Sequence, residues 1–124
     1  MTRTMYALIA ALSVASINCA SHPPPTDNLA SAIAAVRGAQ EAGAGQVPKA
    51  ALQLKLAEEQ VSQARAMMKD GDNERADYMT LRAFNDAELA LALAREDQAK
   101  TLAKAATDKA AAIEAPGPVQ TTQP

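Results

Sequence analysis

The sequence predicts an all-α protein, a long antiparallel helical hairpin preceded by a short third helix, and three features carry that expectation. Alanine supplies 31 of the 124 residues, and alanine has the highest intrinsic helix propensity. The aromatic residues are only Tyr6, Tyr78 and Phe84, too few beside sparse Val and Ile to build the faces of a sheet. From Leu29 onward, apolar positions recur at three- and four-residue steps, the period of an amphipathic helix. A chain of this length holds one domain at most.

The elements follow in order. Residues 1–18 read as an export signal, because Arg3 precedes an apolar run from Ala7 to Ile17 that is too short to span a bilayer. The run ends at Asn18 and Cys19, and the stretch Ser16-Ile17-Asn18-Cys19 resembles a bacterial lipobox. That resemblance implies a lipidated Cys19 thiol, cleavage between Asn18 and Cys19, and acylation of the new amine. Ser16 and Asn18 depart from the leucine and the small residue that the pattern favours, so the likeness rests on the cysteine, the apolar run and their position. The alternatives are an ordinary cleaved signal that leaves a thiol behind and an uncleaved single-span anchor. Ala20 stands where an aspartate would imply inner-membrane retention in such lipoproteins, so the resemblance implies the outer membrane, with the domain facing the periplasm.

Residues 19–27 form a tether, in which Pro23, Pro24 and Pro25 favour an extended polyproline segment. The helical domain spans 28–114, with helices expected at about 28–42, 48–70 and 73–114. Thr26, Asp27 and Asn28 supply capping side chains for the first, whose apolar positions are Leu29, Ala32, Ile33, Val36 and Ala39. Gly38, Gly43 and Gly45 weaken its end. Pro48 suits the first turn of the second helix. Its heptad-like seam reads Ala50, Leu54, Ala57, Val61, Ala64 and Met68, with Leu52, Leu56 and Met67 broadening it. Asp70, Gly71, Asp72 and Asn73 make the turn, with Asp72 or Asn73 capping the third helix. Small residues line the seam of that helix at Ala76, Thr80, Ala83, Ala87, Ala90 and Ala94, and Met79, Phe84, Leu91 and Leu93 flank it. Beyond Arg95 the pattern thins into a solvated end supported by Glu96–Lys100 and Lys104–Asp108 pairs. Residues 115–124 read as a disordered tail.

The residues bound the chemistry narrowly. A single histidine and a single cysteine offer no metal-ligand set and no nucleophile–base pair. The Asp70–Glu74 acids fail the calcium-loop spacing, since the sixth and twelfth positions counted from Asp70 hold Arg75 and Leu81. Glu58 with Glu59, and Asp86 with Glu88, read as solvated helix faces. No enzyme activity, cofactor or metal is expected. The net charge is −2, from 12 basic and 14 acidic residues. Loss of Arg3 with the signal makes it 11 minus 14, or −3, which disfavours nucleic acid and anionic membrane surfaces as partners.

Ala57, Ala64, Gly71-Asp72, Ala76, Ala83, Asp86-Ala87 and Ala90 together resemble the bacterial envelope family called domain of unknown function 4398, over about Leu29 to Ala94. That resemblance implies a small exported or lipidated helical protein and brings no catalytic residue with it. The hairpin is also similar to one tetratricopeptide repeat, with the aromatic positions missing and no second unit. Braun-type lipoproteins are similar in size and helicity, but they end in a lysine joined to peptidoglycan; Pro124 implies no such link. The expectation is a lipid-anchored envelope protein that works structurally, through helix contacts with another envelope protein. Its alternatives are a self-assembling coiled-coil spacer and a periplasmic lipoprotein that binds a small ligand or metal.

Overall fold

The computed structural model describes residues 22–114 of the chain. The proposed signal, Asn18, Cys19 and the tail at 115–124 lie outside the described residues. Three α-helices account for most of the rest: α1 (Thr26–Glu41), α2 (Pro48–Lys69) and α3 (Asn73–Glu114), with one 3₁₀ turn at Ala44–Gln46 between the first two. The fold is all-α, as the composition implies, and the helix bounds match the expected ones to within two residues.

The start of α1 differs from the sequence expectation. Thr26, Asp27 and Asn28 sit inside the first turn, and Pro25 occupies the capping position without a side-chain cap. The prolines explain this. The carbonyl of Pro24 accepts from the Thr26 N–H at 2.9 Å, and that of Pro25 accepts from the Leu29 N–H at 2.9 Å. The turn is thus launched by backbone with a fixed φ, and Asn28 is left to bond elsewhere. α1 ends where the glycines begin, with Gly43 at φ +77° donating to Gln40 O.

The α2–α3 turn is a Schellman motif. Asp72 N–H donates to Met67 O at 2.9 Å and Gly71 N–H to Met68 O at 3.2 Å, with Gly71 at φ +79°. Neither expected capping side chain turns to the start of α3. The Asp72 carboxylate takes the Arg75 guanidinium at 2.9 Å, and the Asn73 amide donates to His22 O at 2.8 Å. The Asp72 carbonyl still accepts the first helical bond, from Ala76 N–H.

α3 is the axis of the bundle. α2 runs antiparallel to it, and α1 runs parallel to it, as fixed by Asn28 bonding Asp77 near one end and Gln98 bonding Ala42 O at 2.9 Å near the other. The core between them is almost wholly alanine. Ala76, Ala83, Ala87, Ala90 and Ala94 of α3 are fully buried, as is Thr80, whose hydroxyl donates back to Asp77 O at 2.7 Å. Ala50, Leu54, Ala57, Val61 and Ala64 answer from α2, and Ala32, Ala35, Val36 and Ala39 from α1. Side chains this small let helix axes approach to about 8 Å, the short end of the usual range, so that backbone atoms themselves make the dispersion contacts. Three positions depart from the expected seam. Met68 is only half-buried, while Leu52 and Leu56, expected to broaden the seam, are exposed. Both leucines lie off the contact line of α2, which Ala50, Leu54, Ala57, Val61 and Ala64 make.

The proline tether is no free spacer over the part described. His22–Pro25 lies as a strap against the turn end of α3. Asn73 bonds the His22 carbonyl, Asp77 accepts from Asn28 at 2.5 Å, and the His22 imidazole stands 3.8 Å from the Asp77 carboxylate. Pro25 is buried.

Two outcomes follow from this packing. Ala87→Leu inserts three carbons into a contact with no room for them and is expected to cost about 1–3 kcal/mol. Thermal denaturation followed by circular dichroism should show this as a fall in Tm, while Ala105→Leu, on the exposed part of α3, should leave Tm within error. Asp77→Ala removes the strap's acceptor. Hydrogen exchange at the amides of Thr26 and Leu29 should then accelerate, while the seam amides keep their protection.

Candidate interaction surface

Polar side chains tie the three helices together at their edges. Gln60, on the margin of the α2 seam, is buried and donates to Asp86 of α3 at 2.8 Å, leaving its own carbonyl oxygen unpaired. Gln40 of α1 donates to Glu58 of α2 at 2.6 Å. Sequence periodicity did not single out Gln60, because a glutamine beside Val61 reads as the polar shoulder of the seam. The only available signal was Asp86, placed where it can accept once α2 and α3 pair.

The depressions on the surface are shallow. One of about 250 Å³ lies between α1 and α2 and is walled by Ile33, Arg37, Gln40, Glu58 and Arg65. Another, of about 260 Å³, lies between α1 and α3 beside Leu81 and Phe84. Among the described residues, no group of three or more His, Cys, Asp or Glu side chains is placed to hold a metal ion. Asp70 is exposed and Asp72 is engaged by Arg75.

The notable surface is the outward side of α3. Tyr78, Leu89, Leu102 and Ile113 lie there with Leu81, which also borders the α1–α3 depression; all are between 45% and 75% exposed, and none of them takes part in the alanine core. Every residue from Arg95 to Glu114 is exposed. Past the level where Gln98 meets the end of α1, the helix therefore runs on for about 24 Å with its sides uncovered. Within this stretch the Lys100 ammonium sits 2.5 Å from Glu96, and their hydrogen bond holds the Glu96 carboxyl below its ordinary range and the Lys100 ammonium above its own. Both groups lie at the surface, so the pair is a local helix support that weakens when acid protonates Glu96 or base deprotonates Lys100. Among the described residues, no helix is long and apolar enough to cross a membrane.

The predicted site residues thus divide into three groups. Ala57, Val61, Ala83, Ala87, Ala90 and Ala94 meet in one apolar cluster, Ala64 and Ala76 are buried outside it, and Met68 is half-buried. Asp70, Gly71, Asp72 and Asn73 form the turn, where Asn73 acquires a role absent from the sequence reading, as the clasp of the strap. Asn18 and Cys19 lie outside the described residues. Comparison with curated proteins yields no match, and neither does comparison with solved structures. A family profile described as "Domain of unknown function (DUF4398)" matches residues 27–115, which take in all three helices and the turn that joins the hairpin. By that match over most of its length, the chain belongs to the DUF4398 family.

Proposed function

We propose that the protein is a lipid-anchored component of the bacterial cell envelope, held at the outer membrane and facing the periplasm, whose helical domain works by contact with other helices. The observation that carries this reading is the outward side of α3, where five large apolar side chains stand exposed without serving the core. Apolar side chains kept on a helix face beyond what the fold uses mark a face that another helix can cover. No catalytic step and no cofactor enter into this function.

The anchor is Cys19, at the end of the apolar run from Ala7 to Ile17. Two or three acyl chains on one residue bind a bilayer with little dissociation, since each buried methylene contributes about 0.8 kcal/mol. The strap gives the anchor a direction. Three peptide links join Cys19 to His22, a reach of about 11 Å at most. His22 is itself fastened beside Asn73 and Asp77, so the turn end of the hairpin lies nearest the lipid.

Two experiments test the two halves of the proposal. Cys19→Ser should move the protein from the membrane fraction to the soluble periplasmic fraction, and persistent membrane association would refute the anchor. A photo-crosslinking residue at Leu102 should capture a protein neighbour in intact cells; recovery of the uncrosslinked chain alone would refute the interaction role.

A further inference from the structure

We propose that the outward face of α3 pairs with a second copy of this chain, antiparallel, about a two-fold axis between Leu91 and Ala92. The inference deepens the helix-contact reading above by naming the partner, and it is independent of the lipid anchor.

A ladder of residues at seven-residue steps carries it: Glu74, Leu81, Glu88, Arg95, Leu102 and Lys109. All six are exposed. Seven residues fall 20° short of two full turns, so the ladder drifts slowly around α3, and the drift closes when two helices supercoil left-handedly. The order is acid, leucine, acid, base, leucine, base. Turned end for end, this order is its own complement. A second α3 placed antiparallel sets Glu74 opposite the partner's Lys109, Leu81 opposite the partner's Leu102, and Glu88 opposite the partner's Arg95. The same approach performs all three matches from both sides. Parallel, in-register pairing instead sets like charges opposite each other at four of the six rungs, so charge selects the orientation.

The residues between the rungs agree in size. Tyr78, Asn85, Ala92, Ala99, Ala106 and Ile113 also recur at seven-residue steps on the exposed side. Antiparallel pairing brings Tyr78 within one residue of the partner's Ala106, brings Asn85 near the partner's Ala99, and places Ala92 at the axis. Large side chains meet small ones, and alanine occupies the point where the two backbones come closest. The charged rungs are not engaged in the ion pairs within the chain, which use Lys55–Glu59, Arg75–Asp72, Lys100–Glu96 and Lys104–Asp108.

The contact also has a plausible size. From Glu74 to Lys109 the face is about 52 Å long, and a strip about 10 Å wide on each copy removes on the order of 1,000 Å² in total. That is the lower end of specific interfaces and implies a reversible dimer. In it the two straps stand about 50 Å apart. Two copies anchored in one bilayer therefore lie along its surface.

Charge reversal tests the register. The full-length protein, purified in detergent, is compared by sedimentation equilibrium with Glu88→Arg, Arg95→Glu and the double variant Glu88→Arg/Arg95→Glu. The wild type should dimerise. Each single reversal sets like charges opposite at two rungs and should raise the dimer dissociation constant about tenfold, and the double swap should restore it to within about twofold of the wild type. Both positions are exposed, and unchanged helical circular dichroism would verify that each variant folds. A monomeric wild type, a dimer indifferent to the single reversals, or a double swap that fails to rescue would each overturn the proposal. A monomeric chain that still crosslinks a different envelope protein through Leu102 would overturn self-pairing alone and leave the helix-contact role standing.

Discussion

The close approach of α2 and α1 to the alanine line of α3 is the constraint on which the structure depends. Five alanines and Thr80 on α3 are wholly buried, and twelve of the fifteen buried apolar residues among those described are alanines. An alanine side chain removes little apolar area from water, so such a core gains less from the hydrophobic effect than a leucine core of equal length. Its compensation is proximity, because backbone brought to short range supplies the dispersion that large side chains would otherwise provide. A contact of this kind admits little bulk: Leu54, Val61 and Val36 are the larger apolar residues it buries, while others flank the seam, as Leu91 and Leu93 do, or leave it for the surface, as Leu52 does.

The polar elements follow from that geometry. Helices packed this closely leave their edges within reach of glutamine and asparagine, and the bonds Gln60–Asp86, Gln40–Glu58, Gln98–Ala42 and Asn28–Asp77 each bridge two helices. They set axial register, which a nearly featureless line of alanines specifies poorly. The strap belongs to the same system. It fastens His22, ahead of α1, to the turn end of α3 through Asn73 and Asp77.

The division between core and surface bears on function. The inward line of α3 holds the fold, and its outward line carries leucines and charges that the fold does not use. One helix therefore presents two chemically different faces, a small and closed one toward its own chain and a patterned, open one away from it. The DUF4398 match runs over residues 27–115 and so takes in both faces of α3. The proposed pairing uses the second face.

Much of the fold was legible from residue spacing. Alanine abundance with a three- and four-residue period determined helices, Gly71 between polar residues determined the turn, and the 42 residues of α3 against the 22 of α2 determined that one helix must overrun the other. These are local properties, governed by backbone propensity and by which groups a chain can satisfy within itself. The seven-residue ladder of charges and leucines on α3 was equally present in the sequence, but a ladder has meaning only once it is known which side of the helix is covered. Whether Leu52 and Leu56 enter the seam, whether Gln60 is buried, and whether the prolines stand free or lie against α3 depended on how near the helices come. That distance is a property of the assembled bundle, set by the fit of small side chains across two surfaces, and only the tertiary structure decided it.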